Sequence, residues 1–301
     1  MRLQSTTGLA LTSLVATAAT AALEQTLWRP PPPAARMHHA TAGRELSQAA
    51  TLLAAAALSD SAIEHYRGSF HNRTMALPLA VAAQALSAGL HGITEHRPNS
   101  STTRAFSNAL ALVTGLAGTG FHLYNIVKRP GGWSWLNLFY AAPIGAPMSL
   151  SLAGMLGRLA ELVRRGGHKT WGLLPGPLIA RLVALGLLGT SAEAALMHFR
   201  GAYHNPAMVI PVTAPPLGAA LLAGSTLCPR LAAPARWTMR LLIATGFLGA
   251  GFHAYGVSRN MGGWRNWSQN VLNGPPLPAP PAFTALALAG LAALKLMARE
   301  R

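Results

Sequence analysis

The chain has 301 residues, of which 51% are apolar and only 11% charged, against roughly 25% charged in an ordinary soluble domain. Its net charge of +16 would suit nucleic acid, but the basic residues lie between apolar spans. That is the pattern of membrane topology, so a bilayer and not a nucleic acid is the expected partner. The single cysteine, Cys228, excludes an internal disulfide, a CxxCH haem attachment and a thiolate set for an iron–sulfur cluster.

The chain opens on MRLQSTTGLALTSLVATAATAALEQ. Residues 1–28 read as a ninth span with Glu24 and Trp28 at its far end, or else as a signal-like segment cleaved near its small residues. The run RPPPPAAR that follows is expected to be a stiff exposed connector, since it suits neither helix nor sheet interior.

Eight apolar windows come next, near 46–65, 75–92, 105–126, 138–157, 178–199, 207–225, 238–256 and 281–298. Each approaches the ~20 residues that cross a hydrocarbon core of ~30 Å. The fold class expected is therefore an all-α integral membrane protein of eight core spans, or nine with the N-terminal segment.

Residues 64–72 read EHYRGSFHN, and MHFRGAYHN recurs 133 positions later. Identities around these stretches include His65/His198, Arg67/Arg200, Gly68/Gly201, His71/His204, Asn72/Asn205, Met75/Met208 and Pro78/Pro211. A second block, GLAGTGFHLYNIVKRPGGW from 115, matches GFLGAGFHAYGVSRNMGGW from 246 and aligns His122 with His253. The chain thus reads as a duplicated four-helix unit: an N-terminal stretch 1–45, a first repeat 46–160 and a second repeat 161–301. An even number of spans per unit inserts both copies the same way up, as parallel repeats about a pseudo-two-fold axis along the membrane normal.

Loops after the first, third, fifth and seventh spans hold seven basic residues, and the opposite side holds sixteen. By the positive-inside bias the repeated motifs face outward from the cell (inner) membrane and the C-terminus is cytoplasmic.

His65, His122, His198 and His253 are then expected at one depth near the outer face, with His71 and His204 on the short outer connections. Neutral imidazoles are the commonest ligands of metals and haem iron. Two on parallel helices suit the axial positions of haem b, with Arg67 and Arg200 available to pair with propionates. In its helix-end histidines alone the chain resembles membrane b-type cytochromes. A non-haem metal site would add Asp60 and Glu193, acids five residues before the histidine in both copies. Either cofactor implies electron transfer with an extracytoplasmic redox partner.

Two other readings compete. An acid inside a span costs at least ~2.5 kcal/mol and by default marks function, so Asp60 and Glu193 also suit a transporter pathway. Proline-rich stretches before the fourth helix of each unit, AAPIGAP and GPPLPAPP, are compatible with that. Alternatively HxxRGxxHN is only a turn, with glycine ending one helix and asparagine capping the next, in a structural or assembly subunit. The glycines beside His122 and His253 suit close helix packing or a porphyrin face. His38, His39, His91, His96 and His168 have no counterparts and are expected in loops. Walker, GxGxxG, GxSxG and HExxH motifs are absent.

Overall fold

A computed structural model describes residues 33–97, 99–166 and 173–300. The segment expected to be a signal or ninth span, and His168, lie outside the described residues.

Among the described residues ten α-helices follow one another. They are α1 Pro33–Arg67, α2 Leu77–Thr94, α3 Thr102–Val127, α4 Trp135–Tyr140, α5 Gly145–Arg164, α6 Pro175–Arg200, α7 Ile210–Ser225, α8 Ala232–Arg259, α9 Trp267–Asn273 and α10 Pro281–Glu300. Short 3-10 turns at Arg73–Ala76 and Pro206–Val209 lead into α2 and α7. Counted with the turns that lead into them, seven helices among the described residues are long and apolar enough to cross a membrane. The architecture fits a multi-pass α-helical membrane protein.

The seven do not include α5, which differs from the expected span at 138–157. The chain breaks after Tyr140, and α5 begins only at Gly145 and runs on to Arg164. It therefore carries Arg158, Glu161 and Arg164, and the pairing of Glu161 with Arg104 and Arg164 makes the buried charges tolerable. The physical cause of the break is the pair Pro143 and Pro147, of which the first stands ahead of the helix and the second in its first turn. Prolines thus lie ahead of α5 and α10 or within their first turns and do not interrupt them further on.

Three further corrections concern the ends. Pro33–Arg36, read as connector, forms the first turn of α1, where a proline's missing N–H costs nothing. Helix α1 is 35 residues long, ~52 Å at 1.5 Å per residue, so it outreaches the ~30 Å hydrocarbon core. His38, His39 and His91 lie in helices and not in loops. Arg104 and Arg164, counted among loop charges of the basic side, are 3% and 1% exposed inside the bundle.

The packing has two tiers. Helices α1, α5, α6 and α10 form the centre: α1 packs on α5 and α10, and α6 packs on α10 and α5. Helices α2 and α3 flank α1 and α5, and α7 and α8 flank α6 and α10. Burial follows this order, since 72% of the apolar window of α10 is covered against 17% for α3 and α8. Leu46, Leu53, Leu150, Ile179, Leu187 and Leu286 fill the centre. The exposed side chains of the outer helices, such as Leu116, Phe121, Phe247 and Phe252, make an apolar perimeter suited to lipid.

Candidate functional site

The two repeated nonapeptides make one turn twice. After α1 ends at Arg67, Ser69 and Phe70 take φ of 55° and 44°; after α6, Ala202 and Tyr203 take 55° and 47°. Left-handed backbone costs a residue with a side chain roughly 1–2 kcal/mol and persists only where its surroundings over-determine it.

Those surroundings repeat as well. The N–H groups of Phe70 and Tyr203 donate to the carbonyls of His65 and His198, both at 3.0 Å. His65 Nδ1 reaches the Met75 carbonyl at 2.7 Å and His198 Nδ1 that of Met208 at 2.8 Å. Pro78 and Pro211, three residues further on, have no N–H to offer those carbonyls. The side chains of Asn72 and Asn205 accept from the N–H groups of Thr74 and Ala207 at 3.0 and 2.9 Å, capping the 3-10 turns. The glycine closes its helix but is not the left-handed residue, since Gly201 has φ −84°. Its use is space: a Cβ on Gly68 or Gly201 would meet the methyl of Met75 or Met208 at 3.2 Å.

The second histidine of each half holds a different segment. His122 Nδ1 bonds the Pro143 carbonyl ahead of α5, and His253 Nδ1 bonds the Pro276 carbonyl ahead of α10, both at 2.7 Å. His71 and His204 turn back onto the carbonyls of Gly68 and Gly201 at 3.0 Å. A carbonyl only accepts, so in all six repeated histidines Nδ1 carries the proton. The neutral ring then keeps the Nε2 lone pair, the form in which a histidine ligates metal.

The structure brings some of the expected residues together. His65 lies within electrostatic reach of His122, and His198 of His253. Asp60 on α1 lies within reach of Glu64, Glu193 and Arg67, so acids from both central helices α1 and α6 approach each other. Other expected gatherings do not form. Among the described residues no three His, Cys, Asp or Glu side chains are grouped to hold a metal ion. Arg67 pairs with Glu64 at 2.7 Å. Arg200 lies over the rings of Phe139 and Tyr140, 5.7 and 6.0 Å from their centroids.

Glu193 acts structurally, because its carboxylate accepts the N–H of Gly145 at 2.9 Å. A negative group is favoured at that position, the first turn of α5. Pro278 stands 133 residues after Gly145 and has no N–H, so Asp60 cannot repeat the bond there.

Buried asparagines were missed at the sequence level. Asn137 Nδ2 donates to the carbonyls of Pro130 and Gly132, at 3.1 and 2.7 Å, and Asn270 Nδ2 donates to those of Met261 and Gly263, at 3.2 and 2.8 Å. Each ties a GGW turn to the short helix after it. The available signal was an asparagine shortly after each GGW triplet, with the offset stepping from 131 at Trp133 to 133 at Asn137. Asn137→Ala and Asn270→Ala are each expected to cost about 1–3 kcal/mol, because each removes two hydrogen bonds made by a buried amide. Thermal unfolding in detergent measures this, and unchanged midpoints would refute it. At the other end, Glu95 accepts the Arg97 N–H at 2.9 Å, and that bond holds its pKa below the usual range.

Comparison of the chain with protein-family models, with curated proteins and with solved structures finds no match.

Proposed function

We propose that the chain is a duplicated four-helix membrane unit with two paired-histidine sites, His65 with His122 and His198 with His253. On this reading there are eight core spans in two parallel copies about a pseudo-two-fold axis along the membrane normal, with the histidines toward the outer face. The reciprocal packing supports it: the first helix of each copy, α1 or α6, rests on the last helix of the other, α10 or α5.

Each pair is assigned to haem b or a transition-metal ion, for one-electron exchange with an extracytoplasmic partner. The observation that carries the reading is the shared Nδ1 bond to a backbone carbonyl, which fixes the ring and leaves Nε2 as ligand. A bis-histidine haem asks only two ligands of the protein, so the lack of a larger cluster among the described residues does not count against it. Arg67 and Arg200 stand near, although their present contacts with Glu64 and with Phe139 and Tyr140 would have to be shared with a propionate.

The test is an absorption spectrum with elemental analysis of the detergent-purified protein, before and after dithionite. A reducible Soret band, or metal in stoichiometric amount, is expected, and His65→Ala or His122→Ala should remove the contribution of the first pair. A colourless, metal-free protein after expression with added haem and metals would end the reading.

One observation favours a second function. Asp60 and Glu193 converge from the two central helices α1 and α6, as a shared cation or proton path would require. Transport predicts flux into vesicles that Asp60→Asn abolishes. Neither flux nor colour, with loss of a partner complex instead, would identify an assembly subunit.

A further inference from the structure

We propose that two equivalent places on the apolar perimeter each hold an anionic phospholipid, its phosphate at Lys128, which caps α3, and at Arg259, the last residue of α8. The proposal requires the chain to span a bilayer and is independent of the histidine sites.

Leu116, Gly120 and Tyr124 of α3 and Lys128 at its C-cap follow at steps of four, each beside the next along one slanted ridge. Phe247, Gly251, Tyr255 and Arg259 repeat the set on α8 at an offset of 131. Both faces are open: Leu116, Tyr124, Phe247 and Tyr255 are all more than half exposed. A Cβ placed on Gly120 or Gly251 would find nothing within 4 Å. Each glycine therefore leaves a notch between an aliphatic or phenyl side chain below and a tyrosine above. An acyl chain can lie along such a notch.

The polar end of each face is the same. Lys128 Nζ stands 5.5 Å from the centroid of the Tyr124 ring, and Arg259 Cζ stands 5.9 Å from that of Tyr255, within the ~6 Å of a cation–π contact. The ring holds the cation at the level where the helix leaves the apolar zone. No aspartate or glutamate occurs in residues 96–160 or 194–299, so neither segment supplies a carboxylate of its own to these cations. A headgroup phosphate complements them, and net-negative lipids are drawn to such charges at a membrane surface. A free phosphate ion would use the cation but not the notch, which is why a lipid is the ligand named.

The experiment is native mass spectrometry of the protein released from micelles containing phosphatidylglycerol and phosphatidylcholine. Two phosphatidylglycerol molecules per chain are expected on the wild type, one on Lys128→Gln, one on Arg259→Gln and none on the double variant. Arg73→Gln, an exposed cation away from both faces, should keep two. Gly120→Leu with Gly251→Leu fills both notches, leaves the cations in place and should also release both lipids. Equal retention of phosphatidylcholine, or two lipids still held by the double cation variant, would overturn the proposal. So would displacement of the lipid by millimolar inorganic phosphate together with indifference to the leucine variants, which would mark a free-anion site.

Discussion

Glu161→Gln is expected to destabilise the protein by about 3–5 kcal/mol, the cost of stranding a buried charge. Glu161 accepts from Arg104 Nε at 2.7 Å and Nη2 at 3.1 Å, and from the N–H of Ser101 at 2.7 Å. Arg164 Nε lies 3.8 Å away on the other side. All three side chains belong to residues 3% exposed or less, so loss of the carboxylate leaves two guanidinium groups without their counter-ion. Arg164 keeps the carbonyls of Gly92 and Glu95, at 2.6 and 3.2 Å, and a long contact to the Ser47 hydroxyl at 3.5 Å.

The second half of the chain supplies the control. At the equivalent positions it places Ala235, Leu294 and Met297, which are 0%, 2% and 3% exposed. The triple change Arg104→Met, Glu161→Leu and Arg164→Met is expected to recover most of the stability lost by Glu161→Gln, since apolar groups of similar volume often replace a buried ion cluster without loss. Unfolding midpoints of the single and triple variants in one detergent decide it. If the triple variant is the less stable of the two, the cluster contributes more than mutual neutralisation.

Gly145→Val is the second large effect, expected at about 1–3 kcal/mol from overpacking. A Cβ at residue 145 would overlap the Glu193 carboxylate, which must then release the N–H it accepts. The junction of α5 with α6, one of the two contacts between the halves at the centre, would open with it. Gly120→Ala is the matched control: its Cβ meets open space, and removing a helical glycine should stabilise by up to about 1 kcal/mol. Equal losses at the two positions would show that helix flexibility and not the carboxylate governs residue 145.

Composition and repetition made much of this molecule legible. A chain with so few charges cannot leave its apolar windows in water, and the windows near 46–65, 105–126, 178–199 and 281–298 all fall inside helices. Asn72 and Asn205 cap because a short polar side chain before a helical turn finds free N–H groups. The window at 138–157 was misplaced because apolar content does not reveal where prolines free the backbone to turn. The left-handed pairs Ser69–Phe70 and Ala202–Tyr203 were hidden by the adjacent glycine, which attracts the inference that it supplies the turn.

What each polar residue does was settled in space. Sequence alone showed that His65 matches His198 and His122 matches His253, because the residues around each recur at a fixed offset. The tertiary structure decided which atom each commits: Nδ1 goes to a backbone carbonyl, of Met75, Pro143, Met208 and Pro276 in turn. It likewise turned Glu193 from an isolated acid in a span into the cap of α5, and Arg104 and Arg164 from loop charges into buried partners of Glu161. The reason is the same in each case. A sequence shows that a polar group must be satisfied in an apolar surrounding, but its partner lies tens of residues away along the chain, and only the packing of helices brings the two within hydrogen-bonding distance.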